Sequence, residues 1–143
     1  MPASDSFVDT NVLLYAISTE PAEAAKTAKA RNLLTTKNWA WSAQVAAEFV
    51  NASTAARRPV PLSLAEAEQW IDTWLVFPLV PVEGRTVKEA IRIAQRYQIS
   101  YFDAQILAAA KAVPCRTLYS EDLNDGQDYE GVRVVNPFAG LQP

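Results

Sequence analysis

The sequence predicts an α/β fold, a single-domain α/β/α sandwich around a mostly parallel central sheet spanning residues 1–143. Three observations predict it. Short apolar runs alternate with longer stretches of helical periodicity, the pattern of βα units whose helices cover both faces of a parallel sheet. The length suits one compact domain able to bury roughly two-thirds of its unfolded surface. No repeat, low-complexity segment or long linker divides the chain.

The elements follow in order. Ser6-Phe7-Val8 reads as a buried strand ending at Asp9. A short helix is expected over Val12 to Ile17, and a second over Pro21 to Thr35, rich in Ala, Lys and Glu with Pro21 in its first turn. Trp39-Ala40-Trp41 fits a short strand. Ala43 to Arg57 reads as a helix with Val45, Phe49 and Ala52 on one face. Ser63 and Glu66 form a capping box ahead of Ala67, Trp70, Ile71 and Trp74. Val76 to Val82 reads as a strand that Pro78 and Pro81 push to a sheet edge. Two helices follow: Thr86 to Tyr97, with Val87, Ala90, Ile91 and Ala94 inward, and Phe102 to Val113, with Ile106, Leu107 and Ala110 inward. Thr117-Leu118-Tyr119 and Val132 to Val135 close the sheet.

Composition excludes much chemistry. The chain has no histidine, which removes imidazole acid–base catalysis, Ser-His-Asp and Cys-His nucleophiles and most zinc sites. Its glycines, Gly84, Gly126, Gly131 and Gly140, are too scattered for a phosphate-cradling loop. The lone Cys115 has no disulfide partner and reads as a small packed hydrophobe. Met1 to Asp9 lacks the basic region of a secretory signal, and no apolar run reaches the ~18 residues of a membrane span, so a cytoplasmic protein with no membrane partner is expected. The net charge of −3 disfavours broad nucleic-acid binding unless a bound cation reverses the local sign.

Carboxylates must therefore carry any catalysis. Asp9 and Asp122 follow strands, at the carboxyl edge where open α/β sheets place ligands. Glu48 lies between Val45 and Phe49 in the apolar stripe of its helix, and Asp103 opens the stripe Ile106, Leu107, Ala110. A buried carboxylate must be protonated, paired or aimed at a cation. Four converging carboxylates call for one or two Mg²⁺ or Mn²⁺ ions, equipment suited to phosphodiester hydrolysis. Each acid also has an ordinary structural reading: Asp9 as a helix cap, Asp103 with Ser100 as a capping box, Glu48 paired to Arg57 or Arg58, and Asp122 in a turn. Arg57 and Arg58 suit the C-terminus of the Glu48 helix, with an RNA phosphate as the functional alternative. The run Asp122-x-Asn124-x-Gly126 fails as a calcium loop because the glycine falls one place early. Asn51-Ala52-Ser53 matches a glycosylation acceptor but lies inside an expected helix.

Phe7-Val8-Asp9-Thr10-Asn11-Val12-Leu13, Glu48-Phe49, Ser100-Tyr101-Phe102-Asp103-Ala104 and Ser120-Glu121-Asp122-Leu123, followed by Gly131-Val132 and Val135-Asn136-Pro137-Phe138, together resemble PIN-domain nucleases of the VapC toxin type, in the family's order and spacing. The resemblance implies a PIN-like fold, a ribonuclease requiring Mg²⁺ or Mn²⁺, a homodimer and a small inhibitory antitoxin. It also implies that Asp9 and Asp103 are first ligands, that Glu48 and Asp122 are further ligands or position water, and that Thr10 and Ser120 orient carboxylates. Two rivals are a Mg²⁺-dependent phosphatase or phosphotransferase, disfavoured because Asp9-Thr10-Asn11 lacks a second acid two residues on, and a non-catalytic PIN-like module that binds RNA or protein.

Overall fold

The computed structural model describes residues 4–141. Strand β1 (Ser6–Val8) leads through Asp9 into α1 (Thr10–Ile17), and a 3-10 turn (Pro21–Glu23) precedes α2 (Ala24–Thr36). Then come β2 (Trp39–Ser42), α3 (Ala43–Ser53), α4 (Leu64–Trp74), β3 (Leu79–Val80), α5 (Gly84–Tyr97) and α6 (Tyr101–Ala112). Strands β4 (Thr117–Tyr119), β5 (Asp128–Tyr129) and β6 (Val132–Val135) complete the chain. The sheet order is β3-β2-β1-β4-β6-β5, parallel except for the β5–β6 hairpin. This is the expected mixed α/β architecture.

The order creates a switch point. From β1 the chain steps outward through β2 to β3, then returns to place β4 on the other side of β1. Connections leave β1 and β4 in opposite directions, which opens a crevice above their carboxyl ends. Strands β1 and β2 are buried at every position, as strands covered on both faces must be. Trp39 and Trp41 anchor that centre: Trp39 stacks on Phe77 at 4.1 Å and meets Trp41 edge-on. The Ala-rich α6 is buried from Ala104 through Ala110, so its small side chains let α5 pack closely against it.

Four local expectations are corrected. Helix α3 ends at Ser53 rather than Arg57. The hydroxyl of Thr54 donates to the carbonyl of Val50 at 2.7 Å, and the Arg58 amide turns back to Ala55, so Arg57 and Arg58 lie beyond the helix. In α5, Val87 and Ile91 are exposed, and the inward face runs Thr86, Ala90, Ile93. Tyr97, whose ring meets Tyr129 edge-on at 4.8 Å, fixes that rotation. Only Leu79–Val80 of the Val76 to Val82 run is strand: Val76 is exposed, and Pro78 and Pro81 cannot donate to a ladder. The start at Pro21 is a 3-10 turn, with α2 beginning at Ala24.

The β5–β6 turn carries its own device. Glu130 takes a positive φ of 56°, a conformation that costs a residue with a Cβ about 1–2 kcal/mol. Its carboxylate meets Arg92, Arg96 and Lys111, fastening the hairpin to α5 and α6. Hydrogen bonds from Arg92, then Lys111 and Arg96, hold this carboxyl far below its usual range. A carboxyl so depressed adds stability in full above its unfolded pKa, and the gain is lost as pH falls below it. Glu130→Gln should therefore lower stability at pH 7 by about 1–2 kcal/mol, with the gap to wild type closing below about pH 4, measured by urea unfolding across pH.

Candidate active site

The switch-point crevice is where the acids lie. Asp9 extends β1, its amide donating to the Tyr119 carbonyl at 3.0 Å, and it caps α1. Its side chain is 2% exposed. One oxygen accepts from the Thr10 amide and the other from the Ser120 hydroxyl, each at 2.7 Å. Ser120, fully buried after β4, also accepts from the Asp122 amide at 3.1 Å. One hydroxyl thus ties the ends of β1 and β4 together.

Glu48 is half-buried on α3 and does not pair with Arg57 or Arg58. Its Oε1 accepts from the Thr10 hydroxyl at 2.7 Å, and its Oε2 accepts from Gln44 Nε2 at 3.0 Å. Asp103 sits in the first turn of α6, where its amide donates to the Ser100 hydroxyl at 3.2 Å. Asp122 is exposed, and its Oδ2 accepts from Asn11 Nδ2 at 3.2 Å. Asp9 caps α1 as read, and Ser100 caps α6 through its hydroxyl alone, without the reciprocal bond of the expected capping box, so capping and clustering coexist at both sites.

Electrostatics joins the four. Burial, first, pushes Asp9 up to about 7; the Ser120 and Thr10 bonds pull it back in part, and the charges of Asp122 and Glu48 raise it again. Burial also raises Asp103, which feels the same two neighbours, Asp122 and Glu48. Each of the inner aspartates thus senses the same pair. Among the described residues, no three of these groups already close on one point as a metal cage. Their oxygens are spread among Thr10, Gln44, Asn11 and Ser120, as mutually repelling carboxylates are expected to be.

Sequence reasoning missed the neutral polar residues around Glu48. Gln44 donates to both Glu48 and the Phe102 carbonyl, and accepts from Gln105, which accepts from the Tyr101 hydroxyl. The readable signal was spacing: Gln44–Glu48 and Tyr101–Gln105 are each four apart and so share a helix face. Asn11 donates to Asp122 across the strand ends. A groove of about 480 Å³, lined by Gln44, Glu48, Phe102 and Gln105 together with Ala43, Ala47 and Val82, holds Glu48 of the four acids. A larger cavity of about 530 Å³, between Val80 and Lys111, contains none of them. Arg58 lines a separate hollow with Asn11, Tyr15 and Glu121. Cys115 is buried as expected, its thiol pushed up to about 12 by burial.

The profile described as "PIN domain" matches residues 6–124, which hold all four acids. The chain belongs to the PIN-domain family. Solved structures agree on the PIN fold. A toxin–antitoxin complex from Klebsiella pneumoniae matches with 20% identity, TM-score 0.64, 92% of this chain and 97% of that one. VapC20 of Mycobacterium tuberculosis, described as a sarcin–ricin loop cleaving toxin, matches with 20% identity, TM-score 0.66, 82% of this chain and 89% of that one. FitAcB from Neisseria gonorrhoeae matches with 18% identity, TM-score 0.62, 94% of this chain and 99% of that one. No curated protein sequence matches the chain significantly. Among the described residues, no helix of this PIN domain is long and apolar enough to cross a membrane.

Proposed function

We propose that this PIN-domain chain is a Mg²⁺- or Mn²⁺-dependent endoribonuclease of the cytoplasm, the toxin of a toxin–antitoxin pair. The observation that carries the reading is Asp9: an almost wholly buried carboxylate at the switch point, held near neutral pKa by burial and by Asp122 and Glu48. Two hydrogen bonds hold this carboxyl, yet a buried, strongly perturbed acid beside two further acids at a strand-end switch point is the arrangement that functional sites build.

The donors fit a hard divalent cation. All are carboxylate oxygens, none is imidazole or thiolate, and the local charge is uniformly negative. Asp9 and Asp103 would hold the ion, with Glu48 and Asp122 as further ligands or as groups positioning water. The bound ion supplies Lewis-acid activation of water and neutralises charge on the scissile phosphate. The chain's own residues supply orientation. Ser120 and the Thr10 amide fix the Asp9 oxygens, and the Thr10 hydroxyl fixes Glu48. Phe102, exposed beside Asp103, offers a ring on which an unstacked base can lie, which favours RNA loops or single strands over a duplex. Exposed Val87 and Ile91 on α5 support a protein partner, read as a second copy in a homodimer or a small antitoxin. The antitoxin is supported by the Klebsiella pneumoniae relative, solved as a toxin–antitoxin complex.

The test is cleavage of a mixed panel of structured and single-stranded RNAs with Mg²⁺, with Mn²⁺ and with EDTA. Cleavage with either metal and none in EDTA is the expected result. Equal cleavage in EDTA, or turnover of a generic phosphomonoester in place of RNA, overturns the reading.

A further inference from the structure

The hydrogen bonds around Glu48 have a fixed direction. Gln44 Nε2 faces two groups that can only accept, the Glu48 carboxylate and the Phe102 carbonyl, each at 3.0 Å. Both amide protons of Gln44 are therefore committed, and its oxygen must point the other way, at Gln105. That end needs a donor, so Gln105 presents Nε2, at 2.8 Å. The Gln105 oxygen then faces outward and takes the Tyr101 hydroxyl at 2.6 Å. The orientation of each amide follows from its neighbour, with the carbonyl and carboxylate at one end setting all of them.

We propose that Tyr101, Gln105 and Gln44 form a one-way relay from α6 to α3 that positions the Glu48 carboxylate for the divalent metal. The inference rests on the nuclease reading above. Gln44 and Gln105 line the groove that holds Glu48 but are only 8% and 7% exposed, so their amides are satisfied chiefly by each other and by the groups at either end. With Thr10 on Oε1 and Gln44 on Oε2, Glu48 is gripped from both sides, and neither grip consumes all the lone pairs of its oxygen. A glutamate on a surface helix would otherwise sample several rotamers. The relay makes α6, which carries Asp103, determine where the α3 acid stands. Asp103 and Glu48 are thereby set relative to each other by side-chain amides that end on the Glu48 carboxylate and on the Phe102 carbonyl of α6.

The deciding experiment measures Mn²⁺ affinity by calorimetry, with kcat and KM for RNA and Tm alongside, for wild type, Gln105→Glu, Gln105→Met and Tyr101→Phe. Gln105→Glu keeps size but sets an acceptor against the Gln44 oxygen, so Gln44 must turn over or let go. Its Mn²⁺ affinity should fall about 10- to 100-fold, with a similar fall in kcat and an unchanged KM. Gln105→Met should lose less, because the Phe102 carbonyl still holds Gln44, and Tyr101→Phe least. Wild-type Mn²⁺ affinity in both Gln105 variants overturns the relay, whatever their Tm. A lower Tm with unchanged Mn²⁺ affinity and kcat would mean the bonds are structural only, and overturns it too. If wild type neither binds Mn²⁺ nor cleaves RNA, the nuclease reading fails and takes the relay with it.

Discussion

Asp9→Asn should abolish RNA cleavage, by about a thousandfold or more, and leave the protein folded. The loss follows from charge. An amide removes one of the ligands that would hold the ion, and a Lewis-acid contribution of about 4 kcal/mol to the transition state corresponds to about three decades of rate. The fold survives because the change is isosteric. The oxygen of the substituted amide can still accept from the Thr10 backbone N–H, and its nitrogen can donate to Ser120 Oγ, at the cost of turning the proton of that buried hydroxyl away from its present acceptor. Repulsion from Asp122 and Glu48 disappears as well. Relieved repulsion and the displaced Ser120 proton oppose each other, so purified mutant should melt within a few degrees of wild type in EDTA. Residual metal-dependent cleavage at the wild-type rate would remove Asp9 from the machinery. A mutant that fails to fold would show that the Ser120 and Thr10 bonds need a full carboxylate.

The parts of the fold that could be read in advance are those where one strong physical signal dominates. Asp9 directly after Phe7-Val8 and Asp122 soon after Tyr119 announce a site at the carboxyl ends of the strands, because an acid that ends a buried apolar run must be exposed, as Asp122 is, or held by hydrogen bonds, as Asp9 is. Glu48 was visible as a charge among Val45 and Phe49. Less legible features depend on neighbours distant in sequence. Strand β5 has two residues and exists only through its pairing with β6, so no local pattern marks it. The rotation of α5 depends on Tyr97 meeting Tyr129, a contact that periodicity cannot weigh. Gln44 and Gln105 escaped notice for a different reason. A glutamine reads as a solvated surface residue in sequence, and its burial becomes intelligible only when its partner across 61 residues is known. The device that orders the candidate site is thus the part least visible in the sequence.

Metal removal and pH should act on this protein as one coupled effect. A group whose pKa is raised by folding binds its proton more tightly in the native state. An acid of this kind adds stability at low pH and loses it as pH climbs from the unfolded value through the folded one. For Asp9 that window runs from 3.8 to about 7. Asp103 is shifted in the same direction by burial and the same neighbours. The depressed carboxyls, Glu130 and Glu89, act in the opposite sense, but their gains are complete above about pH 5. The chain has no histidine, so no imidazole titration overlies the interval. In EDTA, stability should therefore fall by about 2–3 kcal/mol between pH 5 and pH 8, read from urea unfolding at each pH. Asp9→Asn should flatten most of that slope. Mn²⁺ should reverse it, because the ion competes with the proton for the same oxygens. At a hundred times its Kd the ion adds about 2.7 kcal/mol at pH 8, and it should add much less at pH 5, where Asp9 is protonated. A metal effect equal at both pH values would place the ion away from Asp9. A flat profile in EDTA would mean that Asp9 is already satisfied without any cation, and the argument for a metal at the switch point would lose its physical ground.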